Sequence, residues 1–355
     1  MSDNPKTMQA IVYRGVNDLR LEMVPVPRIG ANELLVKVAA CGVCPTDIKK
    51  IHHGTVPPPR IFGHETSGTI VKVGARVRRF KVGDRVALHH HVPCMKCHAC
   101  RHKDFAQCPQ YKYETGVTAG FEPAGGGYAE YVRVMPFVFP GVVRIPQRNS
   151  FLEAAMIEPV STVAKAVRRL RLLRGDHVLV VGQGPIGLMF TRLLALEGMK
   201  VIASDLMPER LQVARAFGAK YVTTPPIQRC NDSMIQRLPI DAAVITAPVD
   251  TAVQEAVNLV RGGGQVLVFA HTRRDAQALI DLSKVCVDEK DLIGSYSSDV
   301  TLQETVAKLV FSRKLDVRKL ITHRFPLAQT AHAVELASKP RAGVLKVVVE
   351  PTSPL

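Results

Sequence analysis

One stretch constrains the fold of this chain more than any other. His177-Val178-Leu179-Val180-Val181 is a short, mostly apolar run, and it leads directly into Gly182-Gln183-Gly184-Pro185-Ile186-Gly187. Apolar residues at helical spacing follow from Leu188 to Leu196, and then a second apolar run, Val201-Ile202-Ala203-Ser204, ends at Asp205. A strand, a Gly-x-Gly-x-x-Gly turn, a helix and a strand ending in an acid form the pattern that cradles a dinucleotide. Each glycine has a task. Gly182 permits the tight turn, Gly184 lets backbone approach a pyrophosphate, and Gly187 lets the helix pack close to the strand. The helix start at Pro185 and Ile186 offers the unpaired N–H groups that follow the proline, and a positive dipole end, to phosphate. Asp205 is placed to accept from ribose hydroxyls, and a 2′-phosphate there meets a like charge. The motif therefore favours NAD over NADP.

The surrounding sequence extends this unit. Strands are expected near 178–182, 200–204, 220–223, 241–246, 265–270 and 291–295, with helices over 210–217 and 251–259 between them. Such alternation predicts a parallel sheet with helices on both faces. The segment 225–238 has no regular pattern. Residues 8–40 read differently, as short alternating apolar and polar runs punctuated by Pro25, Pro27 and Gly30, which predict antiparallel strands. From Phe151 to Arg171 the spacing turns helical, broken only by Pro159. Helices are also expected over 302–311 and 328–337. The apolar run 343–349 reads as a strand returning to the first domain. The expected organisation is an α/β chain: 1–150 with 297–355 returning to it, and 151–296 inserted between. A length of 355 residues suits two domains.

Composition excludes several classes. With 46% hydrophobic and 22% charged residues, large cores are affordable and wholesale disorder is not expected. No apolar run approaches a membrane span, and Met1 to Lys6 lacks a signal-peptide core. A cytoplasmic location is the expectation. The net charge of +16 is spread along the chain, and its densest run, Arg168 to Arg174, suits a solvated helix face. With no Trp, a base-stacking surface is not indicated, and no nucleic-acid partner is expected.

Six of the eight cysteines fall in two clusters. Cys94, Cys97 and Cys100 share Cys-x-x-Cys spacing and Cys108 follows. Four thiolates so placed can close a tetrahedron around one zinc, a site with no open position and hence a structural one. Redox thiols and an iron–sulfur cluster are the alternatives. The second cluster is Cys41-Gly42-Val43-Cys44, which opens a polar, turn-like stretch. Cys44, His64 and Glu65 supply the S, N and O donors that suit zinc. Cys41 reads as core, and Cys230 and Cys286 receive no role. His89-His90-His91 read as the end of a strand beside the four-cysteine loop, also without a role.

Taken together, Cys44-Pro45-Thr46-Asp47, Gly63-His64-Glu65, the four-cysteine loop, Glu158-Pro159 and the glycine turn resemble the medium-chain, zinc-dependent alcohol dehydrogenase superfamily. The match to the sorbitol- and threonine-dehydrogenase-like polyol branch rests on Ile157-Glu158-Pro159-Val160. The resemblance implies a GroES-like, mostly β catalytic domain built from both chain ends and a doubly wound Rossmann domain between them. It implies a catalytic zinc held by Cys44 and His64, with Glu65 and Glu158 as the acids, relatives differing in which one binds directly. It further implies a structural zinc at the four cysteines, hence two per chain. Thr46 would relay a proton, and Asp47 would orient His64. Thr162 would touch the nicotinamide, and Arg210 and Lys346 would lie near the cofactor. The implied reaction is hydride transfer between NAD(H) and a secondary alcohol or ketone, in a homodimer or homotetramer.

The chain departs from its relatives at one point. Many of them carry a His five residues after the catalytic Cys, where Lys49 stands here, followed by Lys50; His52 and His53 are out of register. The rival reading, a zinc-free or non-catalytic NAD-binding relative, predicts a degraded Cys44, His64 and Glu158 set. All three are present. Walls of the substrate pocket are expected from 46–55, 111–121 and Tyr296.

Overall fold

The computed structural model describes residues 5–89, 91–111, 125–226, 233–270 and 277–351. The chain divides into two compact units, Met1–Ser161 with Ser298–Leu355, and Thr162–Ser297. No described helix is long and apolar enough to cross a membrane.

The first unit is mainly β. Thr7–Gly15 pairs antiparallel with Asp18–Pro25. The larger, seven-stranded sheet runs in the order Ile321–Pro326, Lys346–Glu350, Leu34–Gly42, Glu65–Val73, Arg85–Leu88, Val143–Arg144, and Tyr131–Val134 also pairs with Leu34–Gly42. Its pairs are antiparallel except Ile321–Pro326 with Lys346–Glu350, which is parallel. Leu34, Val36, Val38 and Ile70 are almost wholly buried in its core, with Phe62 and Tyr128. The late strand Lys346–Glu350 inserts beside Leu34–Gly42, so the two ends of the chain share one sheet, as expected. Ile321–Pro326 is a strand the sequence does not announce. Its His and Arg residues and only partial burial leave it without an apolar signal.

The first unit runs past 150, where the sequence suggested a boundary. Phe151–Ala155 is a short helix that packs on the sheet. Ser67 donates to the Phe151 carbonyl at 2.7 Å, and the Arg85 guanidinium lies 4.5 Å over the Phe151 ring. Its start is fixed by a capping box in which Ser150 and Glu153 satisfy each other's backbone N–H groups.

The second unit holds six parallel strands in the order Tyr221–Thr223, Lys200–Ser204, His177–Val181, Ile240–Ile245, Val260–Val268, Asp291–Gly294. All six strands lie where the alternating pattern placed them. The chain moves outward from His177–Val181 through two strands, then returns to its other side at Ile240. That reversal is the topological switch point at which open α/β sheets bind ligands. Leu179, Ile202, Ala243, Ile245 and Val266 are fully or almost fully buried along these strands. In the patternless stretch 225–238 the structure places a short helix, Ser233–Arg237. Residues 227–232, with Cys230, lie outside the described residues.

Candidate active site

The centre of the first unit begins where Leu34–Gly42 ends. Cys44 is the N-cap of a helix, Pro45–His53. The turn-like reading of this stretch is thus corrected. Pro45 suits the first helical turn, Asp47 faces the positive end of the dipole, Ile48 and Ile51 form the buried face, and Gly54 closes the helix at φ 62°. The helix sets the geometry of the site. Thr46 Oγ1 lies 2.9 Å from Cys44 Sγ. Asp47, fully buried, accepts from the Gly63 backbone N–H at 3.2 Å and lies 3.1 Å from His64 Nδ1. Burial opposes the Asp47 charge, but His64, with Lys50 and the Gly63 N–H, more than offsets it and holds the carboxyl below its ordinary range. With Nδ1 committed to Asp47, His64 presents Nε2 to the centre.

Ligand atoms of Cys44, His64 and Glu65 lie within 4.8 Å of one another. The donor set, one thiol, one oriented imidazole and one carboxylate, fits a divalent zinc. Glu65 is also tied from behind. Sheet register sets Gly42 against Glu65, and Lys346 Nζ sits 2.5 Å from Glu65 Oε2 while donating to the Val43 carbonyl at 3.0 Å. Burial disfavours the Lys346 ammonium, but Glu65, with Cys44 and Glu158, more than offsets it and raises its pKa above the ordinary lysine value. A Cβ on Gly42 would lie 1.9 Å from Glu65 Oε2, so only glycine leaves room for this carboxylate.

Glu158 is buried on the first turn of the helix Ile157–Val167 and lies outside the compact trio of Cys44, His64 and Glu65. Its neighbour is His91, whose Nδ1 is 3.3 Å from Glu158 Oε1. His89 is fully buried and shares a 2.7 Å hydrogen bond with Ser298 Oγ. The histidine run, given no role from the sequence, therefore reaches the centre through His91. No spacing rule could have found it, because the contact joins a strand end to a distant helix. His90 and residues 112–121 of the expected pocket wall lie outside the described residues. Lys49 is partly buried, and burial lowers its pKa.

The four-cysteine loop is compact. Cys94, Cys97, Cys100 and Cys108 bring their sulfurs within 4.8 Å of one another, with Cys97–Cys100 at 3.5 Å and Cys94–Cys100 at 3.9 Å. A tetrahedron with Zn–S bonds of about 2.3 Å has edges of about 3.8 Å. An iron–sulfur cluster spreads its cysteines over several irons and so needs wider spacing. Backbone N–H groups of Cys94 and Cys97 point at Cys108 and Cys94 sulfurs. The Lys96 N–H, against the cost of burial, draws the Cys94 thiol down to about 6, which favours the thiolate a metal requires. Cys41 is buried, and Cys286 is exposed.

In the second unit Gly182 has φ 89°, and a Cβ on Gly187 would meet the Gly182 carbonyl at 1.8 Å. Gly184 is the N-cap of Pro185–Leu196, with no side chain capping that end, and a Cβ there would approach only Arg210 Nη1, at 3.8 Å. Asp205 Oδ2 accepts from Gln183 N–H at 2.6 Å and Oδ1 from Met207 N–H at 2.9 Å. The acid thus braces the glycine turn and keeps lone pairs for a ligand. Arg210 Nη1 is 3.8 Å from Asp205 Oδ2, with only 15% of its side chain exposed, so it is not a solvated helix charge. Thr162 is half-buried, and Tyr296 is exposed.

Comparison with known proteins agrees with both units. The alcohol dehydrogenase GroES-like domain family matches residues 30–147, and the zinc-binding dehydrogenase family matches 185–312. Sorbitol dehydrogenase of Bacillus subtilis (strain 168) is 31% identical over 357 residues, spanning 98% of this chain and 98% of that protein. The chain belongs to the medium-chain, zinc-dependent alcohol and polyol dehydrogenase family. As a member it is an alcohol dehydrogenase of GroES-like plus Rossmann architecture. Two solved structures of similar fold carry different cofactors. A zinc-binding dehydrogenase from Sinorhizobium meliloti 1021 holds NADP (TM-score 0.87, 25% identity, covering 98% of this chain and 100% of that one). An alcohol dehydrogenase from E. coli CFT073 holds NADH (TM-score 0.84, 25% identity, covering 98% and 100%).

Proposed function

We propose that this chain is an NAD-dependent dehydrogenase that interconverts a secondary hydroxyl of a polyol, sugar derivative or amino alcohol with the ketone. It would carry two zincs, one at Cys44 and His64 with Glu65 or Glu158, and one at Cys94, Cys97, Cys100 and Cys108. The observation that carries the reading is the convergence of Cys44, His64 and Glu65 in front of Asp47. A zinc there supplies Lewis acidity that makes a hydroxyl easier to deprotonate and a carbonyl easier to reduce. The protein's own groups do the rest. Asp47 holds the His64 ring. Lys346 offsets the Glu65 charge. Thr46, beside the Cys44 sulfur, takes the hydroxyl proton and passes it outward.

NAD rests on Gly182, Gly184, Pro185, Ile186, Gly187 and Asp205, with Thr162 and Arg210 as further cofactor contacts; Lys346, buried against Glu65 and the Val43 carbonyl, leaves the cofactor set and acts on Glu65. Asp205 disfavours a 2′-phosphate, while Arg210 next to it would attract one. The weighting toward NAD is that Asp205 itself braces the glycine turn, which sets an acid beside the ribose position. The reading includes a homodimer or homotetramer. Asp291–Gly294 is an edge strand among the described residues, and Leu279, Leu282, Val287 and Leu292 are exposed. It also includes the cytoplasm, where the free thiols of the described cysteines belong.

The test is a panel of polyols, sugars and amino alcohols followed by NADH absorbance, with NAD and NADP in parallel and metal counted per chain. Turnover of a secondary alcohol with NAD, with two zincs, supports the reading. No hydride exchange with any alcohol or ketone in the metal-loaded protein sinks it. Replacing Asp205 with Ala should relax cofactor choice; an unchanged preference removes Asp205 from the assignment.

A further inference from the structure

The two acids at the catalytic centre are held in different ways. Glu65 is clamped by Lys346 at 2.5 Å. The carboxylate of Glu158, a residue 5% exposed, has no hydrogen bond to another described residue, and the one basic side-chain nitrogen within ion-pair distance among them is His91 Nδ1 at 3.3 Å. His91 Nδ1 is itself buried and forms no hydrogen bond among the described residues, so Glu158 faces it at ion-pair distance only. Its ring is packed by Tyr111, His64 and His89. It meets Tyr111 edge-on, with centroids 5.0 Å apart at 71°, and lies against His64 at 5.4 Å and 40°. A ring so packed keeps its place, and the carboxylate oxygen that its Nδ1 faces at ion-pair distance is Glu158 Oε1.

We propose that His91 is the positioning residue for Glu158: it holds Oε1 of that carboxylate and so governs how readily Glu158 reaches a metal at Cys44 and His64. The inference rests on the reading of that centre as a zinc site. A buried carboxylate without the group that faces it loses its fixed orientation, and such outer partners of metal sites are worth about 10–100-fold in metal affinity or activity. His91 acts through Glu158 and is not assigned contact with substrate or metal.

The experiment measures zinc release to the chromogenic chelator 4-(2-pyridylazo)resorcinol from full-length protein: wild type, His91→Leu, His91→Asn, Glu158→Ala and the double variant His91→Leu/Glu158→Ala. Asn places an amide N–H at the same distance from Cβ as Nδ1, so it restores the donor. In His91→Leu one of two zinc equivalents should leave about 10–100-fold faster. In His91→Asn it should stay within a few-fold of wild type. In the Glu158→Ala background the Leu change should add nothing, as expected of residues that act as a unit. The slower equivalent, at the four cysteines, should be unchanged in every variant and reports that the fold is kept. Release from His91→Leu within twofold of wild type overturns the proposal. So does a full effect of the Leu change without Glu158, or failure of Asn to restore retention. If wild type itself holds one equivalent only, the zinc reading of the Cys44 centre fails, and the positioning role fails with it.

Discussion

At the scale of single residues, the geometry of the centre is set by groups that stand behind Cys44, His64 and Glu65. Asp47 fixes which nitrogen His64 presents. Asp47→Asn should keep the fold and lower zinc affinity at Cys44 and His64 by about 10–100-fold, read by chelator competition with the four-cysteine zinc as internal reference. Equal affinity would mean that the ring is held by packing alone. Gly42 is the second case. Gly42→Ala drives a methyl into Glu65, and overpacking of this kind costs about 1–3 kcal/mol. Urea unfolding should report that loss, together with faster zinc release. If both are unchanged, the Glu65 carboxylate has another place to go. Cys44, His64 and Glu65 were legible because metal donors are rare residue types and their family order is specific. Asp47 was legible through the same match. His91 was not, since a histidine at a strand end has many uses and only the folded chain shows it facing Glu158.

Among elements, the Rossmann strands were the easiest to read. Buried parallel strands are short apolar runs between breakers, and Val178 to Val181 or Ala242 to Ile245 fit nothing else. Several elements escaped, the helix Ser233–Arg237 among them. Pro45–His53 looked like a turn because Lys49, Lys50, His52 and His53 hide the Ile48 and Ile51 face. Ile321–Pro326 is too polar to stand out. The capping box of Phe151–Ala155 carries a pH prediction. Glu153 Oε1 accepts from Asn149 and from Arg313 Nε at 2.9 Å, and Oε2 from the Ser150 N–H at 2.7 Å. Burial raises its pKa, yet the bond from Arg313 and then those from Ser150 and Asn149 outweigh burial and bring it below 4.5. A carboxyl with a depressed folded pKa gives stability that is present above its unfolded pKa and fades as pH falls through the folded one. Stability should therefore drop below about pH 4.5. Glu153→Gln should cost about 1–2 kcal/mol at pH 7, a modest figure because Arg313 is 39% exposed, and should flatten the acid side of the curve. Urea midpoints at pH 7 and pH 3.5 decide it. A wild-type slope retained in the variant would assign acid sensitivity elsewhere.

For the molecule as a whole, the two-part plan was readable because the hydrophobic period changes with the unit, from alternating runs to strand and helix in turn. Where the first part gives way was not, because Phe151–Ala155 is helical in pattern but packs on the β sheet. Assembly beyond one chain leaves a weaker trace, an open sheet edge with exposed Leu292. Sedimentation or light scattering should give a dimer or tetramer mass, and Leu292→Lys should shift that mass downward if the edge takes part; a monomeric wild type would remove the expectation. The strand Lys346–Glu350 has one more consequence. Lys346 and Val43, joined by a hydrogen bond, stand 303 positions apart. During synthesis the ribosome makes Cys44, His64 and Glu65 early and Lys346 very late. A nascent chain can close the dinucleotide-binding sheet while still attached, but Glu65 must wait for its counter-charge until translation is nearly done. Metal loading at that centre should therefore be a late event, and protein released early by a stop codon before Lys346 should emerge able to build the nucleotide fold yet poor at retaining zinc beside Cys44.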